Sequence, residues 1–331
     1  MPRLRRTTVG PRRTTVAVAA GAAAAAVILP DRLRADHLFP VVDVVAWRPH
    51  ATIVTGLAAA LLARRRRHRP VGLALGAVAL AGAAAVASRA VVRPRATAGD
   101  DDLTILSANV LLGRADTGAL ATFLEREKPD LVALPESGQD FRAKLMPLVE
   151  SLGYRSWVST PPGVPDGHGV TLLASARAGD LTVRTGPETR YRHLEATGGI
   201  LGRRRMFAVH PEAPIGPKRT AQWRQDLAQI ARWSRAALPP VIAGDFNATL
   251  DHSHMRAALG GCRSAADGTG KGLIGTYPST KPRFAGIQID HVLVPACAAV
   301  TRFEILYLPG SDHRAVLTSV RLPCSPTTPG S

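Results

Sequence analysis

The chain has 331 residues, enough for one or two domains, and a formal charge of +17. Residues 1–99 hold 16 Lys and Arg against 3 Asp and Glu, a balance of +13, while residues 100–331 hold 26 against 22, a balance of +4, so the basic character belongs to the leading third and does not argue for a polyanion-binding face on the rest. The three cysteines, Cys262, Cys297 and Cys324, form no C-x-x-C pair, which argues against zinc or thioredoxin-like roles and leaves one disulfide or ordinary thiols open.

Three apolar segments, 16–29, 41–63 and 71–92, stand between arginine clusters. A helix needs roughly 20 apolar residues to cross a bilayer. The third segment meets this; the first does when Thr14 and Thr15 are counted; the second carries Asp43, Arg48 and His50 near its start, so Arg48 would have to snorkel. Arg3, Arg5, Arg6, Arg12 and Arg13 precede the first segment, and Arg64 to Arg67 with Arg69 separate the second from the third. Short arginine-rich loops stay on the cytoplasmic side, and three crossings satisfy both clusters. The expectation is a membrane module over 1–92 with about three transmembrane helices, a linker over 93–102, and an extracytoplasmic remainder. A cleaved signal peptide over 1–30 followed by a two-helix hairpin leads to the same location.

From Leu103 strand-like and helix-like stretches alternate. The pattern predicts strands over 103–107, 131–134, 170–175 and 206–209, helices over 116–127 and 141–152, and a Pro/Gly loop over 161–168. Residues 220–237 place Trp223, Leu227, Ile230 and Trp233 at helical spacing, an amphipathic helix that packs on a sheet. The Pro/Ser/Thr tail over 323–331 reads as disordered, and the alternation fits an α/β layered domain over 103–322.

One grammar recurs five times: a short apolar run presents a single acid, amide or imidazole at its edge. It delivers Asn109 in LTILSANVLLG, Glu136 in DLVALPES, Asp245 and Asn247 in PVIAGDFNATL, Asp290 in IQIDHVLVP, and Asp312 with His313 in PGSDHRAVLTSV. Any one alone reads as a turn or cap residue; five in this order do not. The segments SANV, PES, GDFN, IDHVLV and SDHR together resemble the endonuclease/exonuclease/phosphatase superfamily over about two thirds of the chain.

That resemblance implies a four-layer α-β-β-α sandwich of two mixed sheets, with the site at the edge between them. It also implies a divalent-metal-dependent phosphoesterase, since hydrolysis needs a cation on the phosphate oxygens, a base for the attacking water and donors for the developing charge. Oxygen ligands suit Mg²⁺ or Mn²⁺. By the resemblance, Glu136 is the principal metal ligand with Asn109 beside it; Asp312, next to His313 on an extended segment, is expected by strand alternation to point the other way from it and towards the metal. His313 is the base and Asp290 orients it; Asp245 protonates the leaving oxygen or positions water; Asn247 donates to a phosphate oxygen; and His210, in MFAVHPEAP, stands on the leaving-group side. Pro135 replaces the family's usual Gln before the Glu, and Tyr277 in GTYP stands where Trp is usual and lines the substrate pocket.

Arg219 is a phosphate contact or a solvated side chain, the run Arg203 to Arg205 is a candidate flank of the cleft, and His252 and His254 in DHSH read as a surface loop. The expected substrate is a phosphate ester, nucleic acid or phospholipid headgroup. A nuclease-type phosphodiesterase stands first, with a lipid phosphodiesterase or phosphatase and a non-catalytic receptor as alternatives.

Overall fold

The computed structural model describes residues 11–322 in two compact units, the first running to Ser88 and the second starting at Arg89. The basic residues before Pro11, the tail over 323–331 and Cys324 lie outside the described residues. The first unit holds helices α1 (Pro11–Ile28), α2 (Val41–Val45), α3 (Arg48–Ala63) and α4 (Arg69–Val86), the last prolonged by a 3-10 turn, Ala87–Ala90. Among the described residues one helix, Arg69–Ala90, is long and apolar enough to cross a membrane, with 22 residues at mean hydropathy 2.0. The second apolar segment, 41–63, is split at Ala46 and Trp47, because Pro49 fits the first turn of a new helix and not the middle of an old one. Arg48 does not snorkel: it is buried, donating from Nε to the last carbonyl of α1, Ile28 O, at 2.8 Å and pairing with Asp31 at 2.5 Å. Small residues let α3 and α4 approach closely; a Cβ on Gly72 would lie 2.6 Å from Ala63 N.

The second unit carries twelve strands and four helices among its described residues. In order they are β1 (Leu103–Ser107), α5 (Thr117–Glu127), β2 (Leu131–Pro135), α6 (Gln139–Val149), β3 (Arg155–Val158), β4 (Val170–Ala174), β5 (Leu181–Gly186), β6 (His193–Gly198), β7 (Met206–Val209), α7 (Pro217–Ser234), β8 (Val241–Asp245), α8 (Ser253–Leu259), β9 (Cys262–Ser264), β10 (Asp290–Pro295), β11 (Ala299–Tyr307) and β12 (Arg314–Arg321). Two six-stranded sheets result, ordered β11-β12-β1-β2-β4-β3 and β5-β6-β7-β8-β10-β9. Each is mixed: β1–β2 and β7–β8 are parallel and their flanking pairs antiparallel.

Alternation along the strands builds the layers. Ile105, Ala133, Leu172, Ala208, Ala243, Val292 and Val316 point into one continuous core between the sheets, while Leu106, Val132, Leu173 and Leu317 point the other way onto Leu120, Leu124, Phe141 and Leu145 of α5 and α6. On the far side, Trp233 of α7 stacks on Phe207 of β7 at 4.2 Å and Trp223 Nε1 donates to Phe246 O at 3.3 Å. This is the α-β-β-α sandwich. Residues 93–102 form no helix or strand, and Arg93 N donates to Gly268 O at 2.8 Å. Cys262 is buried, Cys297 exposed, and both are free thiols.

Candidate active site

The parallel pairs of the two sheets end at the same edge of the sandwich, and the site residues sit at those ends. Asn109 follows β1, Glu136 follows β2, His210 follows β7, and Asp245 closes β8. Asp290 opens β10, in register with Asp245, and His313 immediately precedes β12. The sharp exits need unusual backbone: Glu136 at φ 60° and Asn247 at φ 48° are non-glycine residues in the left-handed region, a conformation that costs of order 1–3 kcal/mol and concentrates where function requires it. Gly244 is required for a different reason. A Cβ there would collide with Val209 O, so no other residue lets β7 and β8 pair this closely just before Asp245.

The expected residues converge. Asn109 Nδ2 donates to Glu136 Oε1 at 2.9 Å and to Asp245 Oδ2 at 3.0 Å, and Glu136 Oε2 accepts Leu112 N at 2.7 Å. Asp245 Oδ1 accepts Asn247 N at 2.8 Å. His313 Nδ1 lies 2.9 Å from Asp290 Oδ2, and its Nε2 lies 3.8 Å from Asp245 Oδ2 and 3.9 Å from Asp312 Oδ1. His210 Nε2 stands 3.9 Å from both Glu136 Oε1 and Asp245 Oδ2. The Tyr277 ring lies 4.9 Å from that of His313.

Burial and charge set the protonation. Burial works to lower His313, but the carboxylates of Asp290, Asp245 and Asp312 overcome it and raise the imidazole to about 10. Burial lifts Asp245 to about 7 against the pull of His313. Burial lowers His210 and keeps it neutral, with Glu136 opposing. Asp312 is raised by burial, with Glu136 and Asp290 adding to the effect.

Some expectations change. Asp312 does not point away from His313; residues 311–313 precede the strand, so strand alternation does not apply to them. Arg219 is committed to Glu212, with Nη2 at 2.7 Å and Nε at 3.0 Å from the same oxygen. The run Arg203 to Arg205 precedes β7 whereas His210 follows it, so it lies at the opposite end of the strand, and Arg204 is buried against Pro239 O. His252 is no surface residue: it is 2% exposed, and its Nδ1 accepts Thr249 N at 3.0 Å ahead of α8. Asn247 is consistent with its expected role: its Nδ2 donates to Pro211 O at 3.1 Å, and an amide nitrogen carries a second hydrogen for a phosphate oxygen.

Sequence reading missed the supports. Ser311 Oγ donates to Asn109 O at 2.7 Å and accepts His313 N at 3.0 Å, tying the first motif to the last. Thr276 Oγ1 accepts Ile289 N at 3.0 Å and Asp290 N at 3.2 Å. Both hydroxyls sit inside the quoted motifs SDHR and GTYP, which is the signal that could have found them. Behind His210 stands a stack that no motif announces, Tyr191 at 5.1 Å and His168 a further 5.3 Å on.

Two triads bring their donor atoms within 4.8 Å of one another: Glu136, His210 and Asp245, and Asp245, Asp290 and His313. Asp290 Oδ1 and Asp312 Oδ1 are buried without a hydrogen-bond partner among the described residues. Clustered carboxylates with orphaned oxygens fit a hard divalent cation. The sequence model of the Endonuclease/Exonuclease/phosphatase family matches residues 106–313. The chain belongs to that family. It is accordingly a metal-dependent hydrolase of phosphate-ester bonds.

Solved structures share the fold. An endonuclease/exonuclease/phosphatase from Beutenbergia cavernae is 18% identical, with TM-score 0.52 over 69% of this chain and 73% of that one. D. rerio TDP2, complexed with single strand DNA product, is 16% identical, with TM-score 0.51 over 67% of this chain and 100% of that one. A family protein from Bacteroides thetaiotaomicron is 14% identical, with TM-score 0.50 over 66% and 97%. No curated protein matches the chain.

Proposed function

We propose that the chain is a divalent-cation-dependent phosphodiesterase of nuclease type, whose water is activated by His313 and whose site faces the extracytoplasmic side of a membrane. The observation that carries the catalytic reading is the His313–Asp290 contact at 2.9 Å, set within 3.8 Å of Asp245. Asp290 fixes the imidazole so that Nε2 faces the pocket, where it takes the proton of the attacking water. Asp245, raised to about 7 by burial, holds a proton that it can give to the leaving oxygen. Neutral His210, with Nε2 3.9 Å from Asp245 Oδ2, is a second donor to the leaving oxygen. Asn109 bridges Glu136 and Asp245 and keeps the two carboxylates apart.

Mg²⁺ or Mn²⁺, held by Glu136 with Asn109 and Asp312, would offset the charge of these carboxylates and of the phosphate oxygens, which lets His313 release its proton near neutral pH.

The membrane placement rests on the Arg69–Ala90 helix, on the arginines before it, and on outward-facing Leu57, Leu61, Leu73 and Leu80, each more than 60% exposed. It also favours a second reading, a lipid phosphodiesterase or phosphatase acting on headgroups. Purified full-length chain assayed with Mg²⁺ and then chelator on single-stranded DNA, sphingomyelin, phosphoinositides and bis(p-nitrophenyl) phosphate separates the two. Chelator-sensitive hydrolysis of DNA supports the first; hydrolysis of lipid alone replaces it with the second; no hydrolysis of any ester refutes both. Protease treatment of intact cells tests the location, with digestion of the second unit expected.

A further inference from the structure

The stack behind His210 opens into a cleft of about 700 Å³. His168 and Tyr191 line it together with Ser159, Thr185, Arg190 and Arg192, and no carboxylate does. Its size matches sites that take small organic ligands, and its charge is of one sign.

The wall is built and held. Asp226, fully buried, accepts Arg190 N at 3.0 Å through Oδ1 and Glu212 N at 2.9 Å through Oδ2. One side chain thus pins both the Arg190–Tyr191–Arg192 bend and the residues just after His210. Thr189 Oγ1 donates to Tyr191 O at 2.7 Å, fixing the bend from within. Glu212, the acid closest to Arg190, has one oxygen saturated by Arg219 and by Ala213 N, and its other oxygen stays 3.7 Å from Arg190 Nε. Arg192 is exposed and makes no ion pair among the described residues. Two guanidinium groups on a pre-organised bend, Arg192 without an ion pair among the described residues and Arg190 paired with Glu212 only at 3.7 Å, match a phosphate in charge and in donor geometry.

The position sets the ligand's length. From the His210 ring to the far ring of the stack are two successive spacings of 5.1 and 5.3 Å, so a group in the cleft is joined to the reacting phosphate through a spacer of about one sugar. We infer that the cleft binds the second phosphate of a doubly phosphorylated, sugar-spaced substrate, and that Arg190 and Arg192 select it. This rests on the phosphoesterase reading, which assigns the reacting phosphate to the neighbouring site. The same chemistry occurs in a sugar bisphosphate and in a strand carrying consecutive phosphates.

Calorimetric titration of the full-length chain tests the cleft without turnover. Glucose 1,6-bisphosphate is compared with glucose 1-phosphate, and 5′-phosphorylated dithymidine with thymidine 5′-monophosphate. The wild type is expected to bind at least one bisphosphorylated probe tenfold or more tighter than its monophosphorylated partner. Arg190→Ala/Arg192→Ala abolishes that difference, and the corresponding double Lys variant, checked for an unchanged melting temperature, restores part of it. The sugar pair or the nucleotide pair that shows the effect names the source. Equal binding of mono- and bisphosphorylated probes by the wild type, or a difference that survives the double Ala variant, overturns the inference. Chelator-insensitive or absent diester hydrolysis by the wild type would instead refute the phosphoesterase reading.

Discussion

Replacing Asp290 by Asn keeps the shape of the site and removes one charge from behind His313. The two side chains are 2.9 Å apart, and a unit charge about 4 Å away at an effective dielectric of about 20 is worth about 4 kcal/mol. At about 1.4 kcal/mol per decade, the variant weakens the imidazole's hold on its proton by about a thousandfold. The base titrates at lower pH, and the amide no longer dictates which ring nitrogen carries the hydrogen. Turnover should fall by about 10²–10⁴, the usual contribution of a positioned base, with KM changed by less than about threefold because Asp290 lies behind His313. The assay is kcat/KM against pH for bis(p-nitrophenyl) phosphate. A base must be deprotonated to act, so activity rises as pH passes its pKa, and the acid limb of the variant shifts to lower pH. An unmoved acid limb with turnover within tenfold of the wild type would refute the assignment of His313 as base.

Three further outcomes concern the scaffold and are read from urea denaturation. Gly244→Ala forces a methyl against Val209 O between the parallel strands and is expected to destabilise the second unit by about 1–3 kcal/mol. Asp251→Ala leaves the buried Arg89 guanidinium, now held at 2.9 and 2.5 Å, without its carboxylate, at a cost of about 3–5 kcal/mol. Burial pushes His193 down to about 4, below an unfolded value of about 6.5, so its contribution is complete above pH ~6.5 and is lost as pH falls towards 4, by about 3 kcal/mol in all. His193→Gln should flatten that part of the profile, and an unchanged slope between pH 7 and 4.5 would contradict it.

The site was legible wherever a strand buried on both faces ends in one polar residue. Residues 103–107, 131–135 and 241–245 are such strands, and apolar runs closed by Asn, Glu or Asp announce them. β6 was not legible, because His193 and Glu195 are buried within it and break any apolar signature; Glu195 is tolerated there through its contacts with Arg184 and Arg205. β5 pairs on one side alone and half of it is exposed, so its apolar residues, Leu181 and Val183, form only a short alternation between polar ones. The stack of His168, Tyr191 and His210 joins three separate loops, a proximity that follows from sheet order and not from any local pattern. The charged residues Asp43, Arg48 and His50 marked the start of the second apolar segment as irregular, and the new helix begins there, at Arg48.

Manganese binding measured by electron paramagnetic resonance bears most directly on the claim that these carboxylates gather around a cation to hydrolyse a phosphate ester. Glu136 reaches Asn109 at 2.9 Å and lies 3.9 Å from His210, so Glu136→Gln should abolish high-affinity Mn²⁺ binding and diester turnover together in the full-length chain. Retention of both by Glu136→Gln would contradict the account.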